Sequence, residues 1–315
     1  LDQFQRRVRM APYTTLRAGG PADYFHTART IDQLAEAAIF AQKNGLHTTT
    51  LGTGSNMLPS DAGVPGLVVL NLADRIEIER DGTVTADCGC WFQDLFLKTI
   101  QAGLRGLEFA VGIPGTLGGA LVSNAGAYRS NVSEFMVGIE IVYAGERKWV
   151  EPAFMRFSYR DSILRRTDPP QCVMLRAKLR LPNGDRKASF DEAREYQRQR
   201  IGKQPPPASA GSFFKNVISK ELAESLDALT EGMRRTGVVP AGYLIEAVGL
   251  KGHRHGNAML AARHANFIIN VGGASATEIR DLAEIAKARV FARFGVALEE
   301  EVLYLGDWSA YEKPA

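Results

Sequence analysis

Long hydrophobic runs are missing from this chain. No window approaches the ~18 apolar residues of a membrane-crossing helix, so no membrane insertion is expected. No secretory leader is visible either. Charge of one sign is scarce: 38 Lys and Arg face 35 Asp and Glu, a net +3 over 315 residues. With no basic run of five or more, nucleic acid is not an expected partner, whereas a small anionic substrate is compatible. Cysteine is scarce as well. Cys88, Cys90 and Cys172 are odd in number, and C-x-C with one distant partner fits neither a disulfide framework nor a common zinc pattern. They read as buried thiols in strands of a cytoplasmic protein. With no H-x-x-x-H helix and no Cys/His cluster, no metal is assigned, and His255 and His264 read as structural. Nor is there a G-x-G-x-x-G, a G-x-x-x-x-G-K-[ST] or a G-x-S-x-G. A Rossmann fold, a phosphate-binding P-loop and a serine acyl-transfer enzyme therefore lack support.

What is present is ordinary globular material, 45% apolar and 23% charged, enough for about two domains at roughly 100–200 residues each. Thr30 with Gln33 forms a capping box for a helix that Gly45 ends. Strands are expected at His47–Leu51 and Gly66–Leu72. A hairpin is expected from Ile76–Glu79 to Thr83–Ala86 around Asp81-Gly82. Trp91–Ala102 reads as a helix stopped by Gly103. Ile139–Tyr143 and Val173–Leu181 read as strands, the second alternating Val173, Leu175, Ala177 and Leu179, with Asn183-Gly184 as a turn. Ser189–Lys203 is a polar helix, and Pro205-Pro206-Pro207 breaks the chain. Beyond it lie a helix near Lys220–Leu229, a strand near Asn266–Asn270, a helix at Thr277–Phe294 capped by Ser275 and Glu278, and a strand at Leu298–Leu305.

Five loops carry chemistry. In Leu51-Gly52-Thr53-Gly54-Ser55-Asn56, two glycines allow a tight backbone turn whose N–H groups can face one anion, a nest suited to a phosphate. Ser55 and Asn56 add side-chain donors. The stretch from Gly112 to Ala127 is rich in small residues, including Gly115, Gly118, Gly119 and Gly126, and lets a flat or extended ligand come close. Tyr159-Arg160-Asp161-Ser162 places an arginine beside an aromatic. In Ala210-Gly211-Ser212-Phe213-Phe214-Lys215-Asn216 a hydroxyl precedes two aromatics. In Leu298-Glu299-Glu300-Glu301-Val302, strand alternation turns at least one carboxylate inward.

In this order, the motifs resemble the UDP-N-acetylenolpyruvoylglucosamine reductase family. Thr14–Ala22 is similar to its N-terminal signature, and LGTGSN (Leu51–Asn56) to its first flavin loop. Gly103–Tyr128 is similar to its second flavin loop. YRDS, AGSFFKN and LEEEV are similar to its catalytic segments, and Ala241–Asn270 to the core of its substrate domain. The likeness runs from about Tyr13 to Gly306. Only a short stretch joins Ser162 to the strand at Val173, so the chain resembles the shorter form of the family, without its extra tyrosine loop.

The resemblance implies an α+β fold: a two-lobed FAD-binding domain of the PCMH/vanillyl-alcohol-oxidase type plus a smaller C-terminal α+β substrate domain. The first would span residues 1–190, with lobes of about 1–74 and 75–190, and the second 205–297. Residues 298–315 would return to the FAD-binding domain. It implies NADPH-dependent reduction of UDP-N-acetylglucosamine enolpyruvate to UDP-N-acetylmuramate by a monomer, in peptidoglycan precursor synthesis, through non-covalent FAD. The flavin would be held by Gly52, Thr53, Gly54, Ser55 and Asn56, and by Pro114, Gly115, Thr116, Gly118, Gly119, Ala120, Asn124 and Gly126. Arg160, Ser212 and Glu301 would be catalytic. Tyr159, Arg200, Lys203, Lys215 and Asn216 are the substrate candidates. Thr53, Arg129, Val217 and Leu303 depart from the family pattern. Two other functions suit the same loops: a flavin-dependent sugar or alcohol oxidase, and a non-catalytic nucleotide-sugar binding protein.

Overall fold

Thr30 opens α1 (Ile31–Lys43), its hydroxyl accepting from the Gln33 N–H at 3.2 Å. The Gln33 side chain bonds back to the N–H of Arg29 rather than of Thr30, so the capping box is displaced by one residue. α2 (Phe92–Gln101) and α3 (Leu117–Val122) follow, then the polar α4 (Arg186–Ile201). The computed structural model describes residues 2–201 and 208–314. Contacts divide the chain into two units: Leu1–Val8, Ala22–Gly54 and Pro65–Gly202 form one, and Arg9–Pro21, Ser55–Val64 and Lys203–Ala315 the other. This division interleaves three stretches per unit, whereas the sequence reading used continuous blocks.

In the first unit, a five-stranded antiparallel sheet runs Glu146–Val150, Met136–Tyr143, Cys172–Arg180, Thr83–Asp87, Ile76–Ile78. Ile139, Ile141, Ala177 and Leu179 pack with Phe92, Leu95 and Phe96 of α2 and Leu117 of α3. Val142, Val173 and Leu175 pack with Leu34, Ala38 and Ala41 of α1. The alternation expected through 173–179 is therefore broken. Glu140 pairs with Arg176 but Ile141 with Met174, an irregularity that sends Leu175 and Ala177 to different cores. A second sheet orders Gln5–Arg9, Pro21–Ala28, Val64–Asn71 and Thr48–Leu51, the last pair parallel.

Several other expectations are corrected. Cys88 and Cys90 lie in a turn after the strand Thr83–Asp87, not in strands, while Cys172 begins one. Asn183-Gly184 makes an isolated bridge with Leu104 instead of a turn, the Gly184 N–H donating to Gly103 at 2.8 Å.

The second unit contains α5 (Lys220–Ser225), α6 (Glu231–Thr236), α7 (Ala241–Ala247) and the long α8 (Ala276–Phe294), with its Ser275–Glu278 capping box complete. The helix expected to reach Leu229 stops four residues earlier. Ile279, Leu282, Ala283 and Ala286 of α8 share a core with Ala258, Leu260 and Ile268 of the three-stranded sheet Arg254–His255, Ala258–Leu260, Ile268–Asn270. The strand expected at Leu298–Leu305 is only Leu303–Leu305, which pairs in parallel with Met57–Pro59. No helix among the described residues is long and apolar enough to cross a membrane.

Candidate functional site

The first loop turns on Gly54 at φ +63°. A Cβ at Gly52 would stand 2.5 Å from the Thr116 hydroxyl, so glycine there lets this loop meet the second one. The Thr53 hydroxyl is buried and has no hydrogen-bond partner among the described residues. Ser55 and Asn56 fall in the second unit. There the Asn56 amide donates to the Glu301 carbonyl at 3.1 Å, and the Asn56 carbonyl accepts from the Leu303 N–H at 3.1 Å. The expected cofactor residue Asn56 is thus also a brace for the segment that carries Glu301.

The second loop rests on backbone. Phe92 N–H donates to Gly115, Leu117 N–H to Cys90 and Gly118 N–H to Cys88, at 3.0, 2.9 and 2.8 Å. Sequence reading assigned Cys88-Gly89-Cys90 no part in this; its carbonyls form the floor under Gly115–Gly118. Both thiols are inert by burial, which pushes Cys90 up to about 12 and Cys88 well above its ordinary value. Thr116 caps α3, accepting from Gly119 N–H at 3.3 Å. Past Pro114 and along α3, Ala120 is buried against this core. Asn124, at φ +43°, donates to the Ser158 carbonyl at 3.0 Å and accepts from Ser133 N–H at 3.3 Å.

Asn124 and Gly126 thereby tie the second loop to the YRDS segment. The Arg160 guanidinium donates to the Gly126 carbonyl, and its carbon sits 5.3 Å from the centre of the Tyr159 ring. Arg160 itself is at φ +52°, a strained conformation of the kind found at functional sites. Ser162, fully buried, donates to the Val122 carbonyl at 2.6 Å and fixes the segment from below. Arg200 donates to the Val111 carbonyl at 2.7 Å. Burial depresses its pKa, Tyr128 opposes that, and nearby Arg160 depresses it further. Tyr128 stacks on Tyr196 at 3.7 Å and 6° and donates to its carbonyl at 3.0 Å. The first unit therefore gathers Arg160, Arg200 and Tyr128, a group able to receive an anion. Lys203 lies outside the described residues.

The second unit holds the other two catalytic candidates. Ser212, half-buried, lies between Gly211 at φ +75° and the buried Phe213 and Phe214. The Phe213 carbonyl accepts from the Glu301 N–H at 2.8 Å, which joins the Ser212 loop to the Glu301 segment. Glu301 is half-buried; its neighbour Glu300 takes Lys287 at 2.8 Å, and exposed Glu299 takes Lys215. Lys215 is only 9% exposed, so its ammonium already faces a carboxylate. The Asn216 side chain accepts from Ala241 N–H at 3.3 Å, at the start of α7. Sequence reasoning missed Asn266, which lies against the Ser212 loop. The signal was a buried amide inside the apolar run Ala265–Asn270. Among the described residues, no group of three or more His, Cys, Asp or Glu side chains could hold a metal ion.

Comparison with known proteins places both units. A family model described as an FAD binding domain matches residues 22–149. The unmet Thr53 hydroxyl, the close approach at Gly52 and the backbone-built loop at Gly115–Gly119 fit such a cofactor. A second model, described as the C-terminal domain of UDP-N-acetylenolpyruvoylglucosamine reductase, matches residues 202–305. A curated protein of that name from Synechococcus sp. is 36% identical over 97% of this chain and 92% of its own length. Another from Rubrobacter xylanophilus is 37% identical over 94% and 93%. The crystal structure of the Thermus caldophilus UDP-N-acetylenolpyruvylglucosamine reductase is 31% identical and aligns with a TM-score of 0.75, over 96% of this chain and 99% of that one. With such identity across nearly the whole length of each relative, the chain belongs to the UDP-N-acetylenolpyruvoylglucosamine reductase family.

Proposed function

We propose that this protein reduces UDP-N-acetylglucosamine enolpyruvate to UDP-N-acetylmuramate with NADPH, through bound FAD, as a cytoplasmic monomer making a peptidoglycan precursor. The observation that carries the reading is the Ser212 loop: a hydroxyl on irregular backbone, anchored by two buried phenylalanines and bonded to the Glu301 segment. Family membership supports the substrate, and the free thiols suit a reducing compartment.

FAD, held by the Gly52–Asn56 and Pro114–Gly126 loops, would supply hydride chemistry at one vinyl carbon of the substrate. Negative charge then builds on the neighbouring carbon and its carboxylate. Arg160 meets those oxygens with its guanidinium fork. Arg200 and Tyr159 lie near Arg160 in sequence or space and serve the same anionic substrate. Ser212 gives its proton to the carbon that carries the charge, completing the lactyl ether. Its hydroxyl is a weak acid, so transfer requires the nascent enolate to be the stronger base. Glu301 orients the Ser212 segment, which its N–H joins at the Phe213 carbonyl. Lys215, Asn216 and Lys203 serve the nucleotide-sugar part, Lys215 by exchanging Glu299 for phosphate. NADPH and the enolpyruvyl substrate use the cofactor in turn.

One anaerobic spectral cycle tests the reading. The flavin bands should bleach on adding NADPH and return, after excess NADPH is removed, on adding UDP-N-acetylglucosamine enolpyruvate. Bands that return only with oxygen would replace it with an oxidase, and the absence of flavin bands even after adding FAD would remove it.

A further inference from the structure

We infer that Asn266 is the positioning residue for the Ser212 hydroxyl, an inference that rests on the reading of Ser212 as proton donor. The loop 208–216 has no regular structure beyond isolated bridges, and its upstream anchors are Ser209, which bridges Ile269, and Ala208, whose carbonyl accepts from the Asn270 N–H at 3.0 Å. A nearer hold comes from the two residues after Ser212. Phe213 N–H donates to the Asn266 carbonyl at 2.7 Å. Phe214 N–H donates to Asn266 Oδ1 at 3.0 Å, and Asn266 Nδ2 donates to the Phe214 carbonyl at 2.9 Å.

A side-chain amide that both accepts from and donates to one residue's backbone acts as a substitute strand neighbour. It satisfies a peptide that is 1% exposed and has no sheet to join. The pattern also fixes the amide's orientation, because the flipped form would set donor against donor and acceptor against acceptor. Asn266 is itself only 3% exposed, so no bulk water can replace it without rearrangement. Glu301 N–H binds the Phe213 carbonyl from the other side. Ser212 is therefore aimed by a clamp between Asn266 and the Glu301 segment. Losing the Asn266 amide leaves both polar groups of Phe214 unmet in a buried place, and the loop moves to recover them.

The test uses the flavin-loaded enzyme and follows its two half-reactions separately under anaerobic stopped flow. In Asn266→Ala, flavin content and reduction by NADPH should match the parent. Reoxidation by UDP-N-acetylglucosamine enolpyruvate should slow by roughly 10–10²-fold, the usual effect of a displaced catalytic group. Asn266→Asp gives a readout that a merely structural residue would not move. Its carboxylate can accept from Phe214 N–H but repels the Phe214 carbonyl, whereas its protonated form can donate and accept as the amide does. The reoxidation rate of Asn266→Asp relative to the parent should therefore climb as pH is lowered, while that of Asn266→Ala stays flat. The inference is overturned by an unchanged reoxidation rate in Asn266→Ala, by a pH-independent ratio in Asn266→Asp, or by loss of flavin and of both half-reactions together. Ser212→Ala, run in parallel, separates the two ideas. If it reoxidises normally, the proton-donor reading falls and takes Asn266 with it; if it is slow while Asn266→Ala is not, only the clamp is wrong.

Discussion

The segment Gly112–Gly126, which includes the short α3, and the loop at Ala210–Asn216 both carry candidate chemistry, and they are held by different means. In the first, main chain lies on main chain: the carbonyls of Cys88 and Cys90 receive the N–H groups of Gly118 and Leu117. In the second, backbone bonds to Asn266 and the Glu301 segment are joined by a side-chain grip, the Asn266 amide on Phe214, and the loop is anchored by Phe213 and Phe214, which are 0% and 1% exposed. Backbone-on-backbone contact needs small residues and is indifferent to which side chain sits below. Side-chain clamping needs one particular amide and, by holding Phe214, leaves the nearby Ser212 side chain free for the role proposed. The difference suits the roles proposed: a surface that receives a large planar cofactor, and a point that delivers one proton.

The largest effect should come from the clamped loop. Ser212→Ala should lower turnover about 10²–10⁴-fold with flavin content intact, the range for a positioned general acid. Steady-state rates beside the visible flavin absorbance of the purified protein measure both at once, and turnover within about twofold of the parent would break the comparison on this side. Next is the backbone loop. A Cβ at Gly118 would lie 2.9 Å from the Cys88 carbonyl and 3.1 Å from its Cβ. Gly118→Ala should therefore cost about 1–3 kcal/mol in overpacking, and where the free loop relieves that cost by shifting, FAD binding must restore it, a Kd roughly 5–150-fold weaker. Fluorescence titration of the apoprotein checks it, and an unchanged Kd would mean the floor gives way without cost. The smallest effect sharpens the contrast. Cys90→Ala keeps the carbonyl that receives Leu117, so FAD affinity should stay within about twofold while stability drops by about 1 kcal/mol for the lost buried surface. A denaturant melt and the same titration separate the two quantities.

The elements most legible in the sequence were those whose ends are written locally. Ser275 and Glu278 announced α8, and Asp81-Gly82 announced the hairpin between Ile76–Ile78 and Thr83–Asp87. Elements set by distant partners were not. Alternation through Leu298–Leu305 reads as one strand, yet Glu299 and Glu301 bond to the irregular Ser212 loop, and regular pairing begins only at Leu303. The same holds for Val173–Leu181, where a register shift against Glu140 and Ile141 undoes a clean period of two. In the candidate site, composition marked the glycine loops as places of close approach, which Gly52 against Thr116 and Gly118 against Cys88 display. The clamp could not be read, because Asn266 and Phe214 are 52 residues apart and nothing near either one names the other. Asn56 was legible as a loop donor but not as a brace, since its bond to Glu301 spans 245 residues.

That last bond has a consequence in time. Residues 55–64 belong to a unit whose remaining strand partner, Leu303–Leu305, is made last. At typical synthesis speeds of ~5–20 residues per second, they leave the ribosome roughly 10–50 s before that partner exists. The first unit's sheets and α1 to α4 have all their partners within residues 2–201 and can form in that interval. The end of the Gly52–Asn56 turn must wait for the closing strand. Pairings of such long sequence separation form slowly. The end of the Gly52–Asn56 turn is therefore completed at the C-terminal end of the molecule, although its glycines are translated near the beginning.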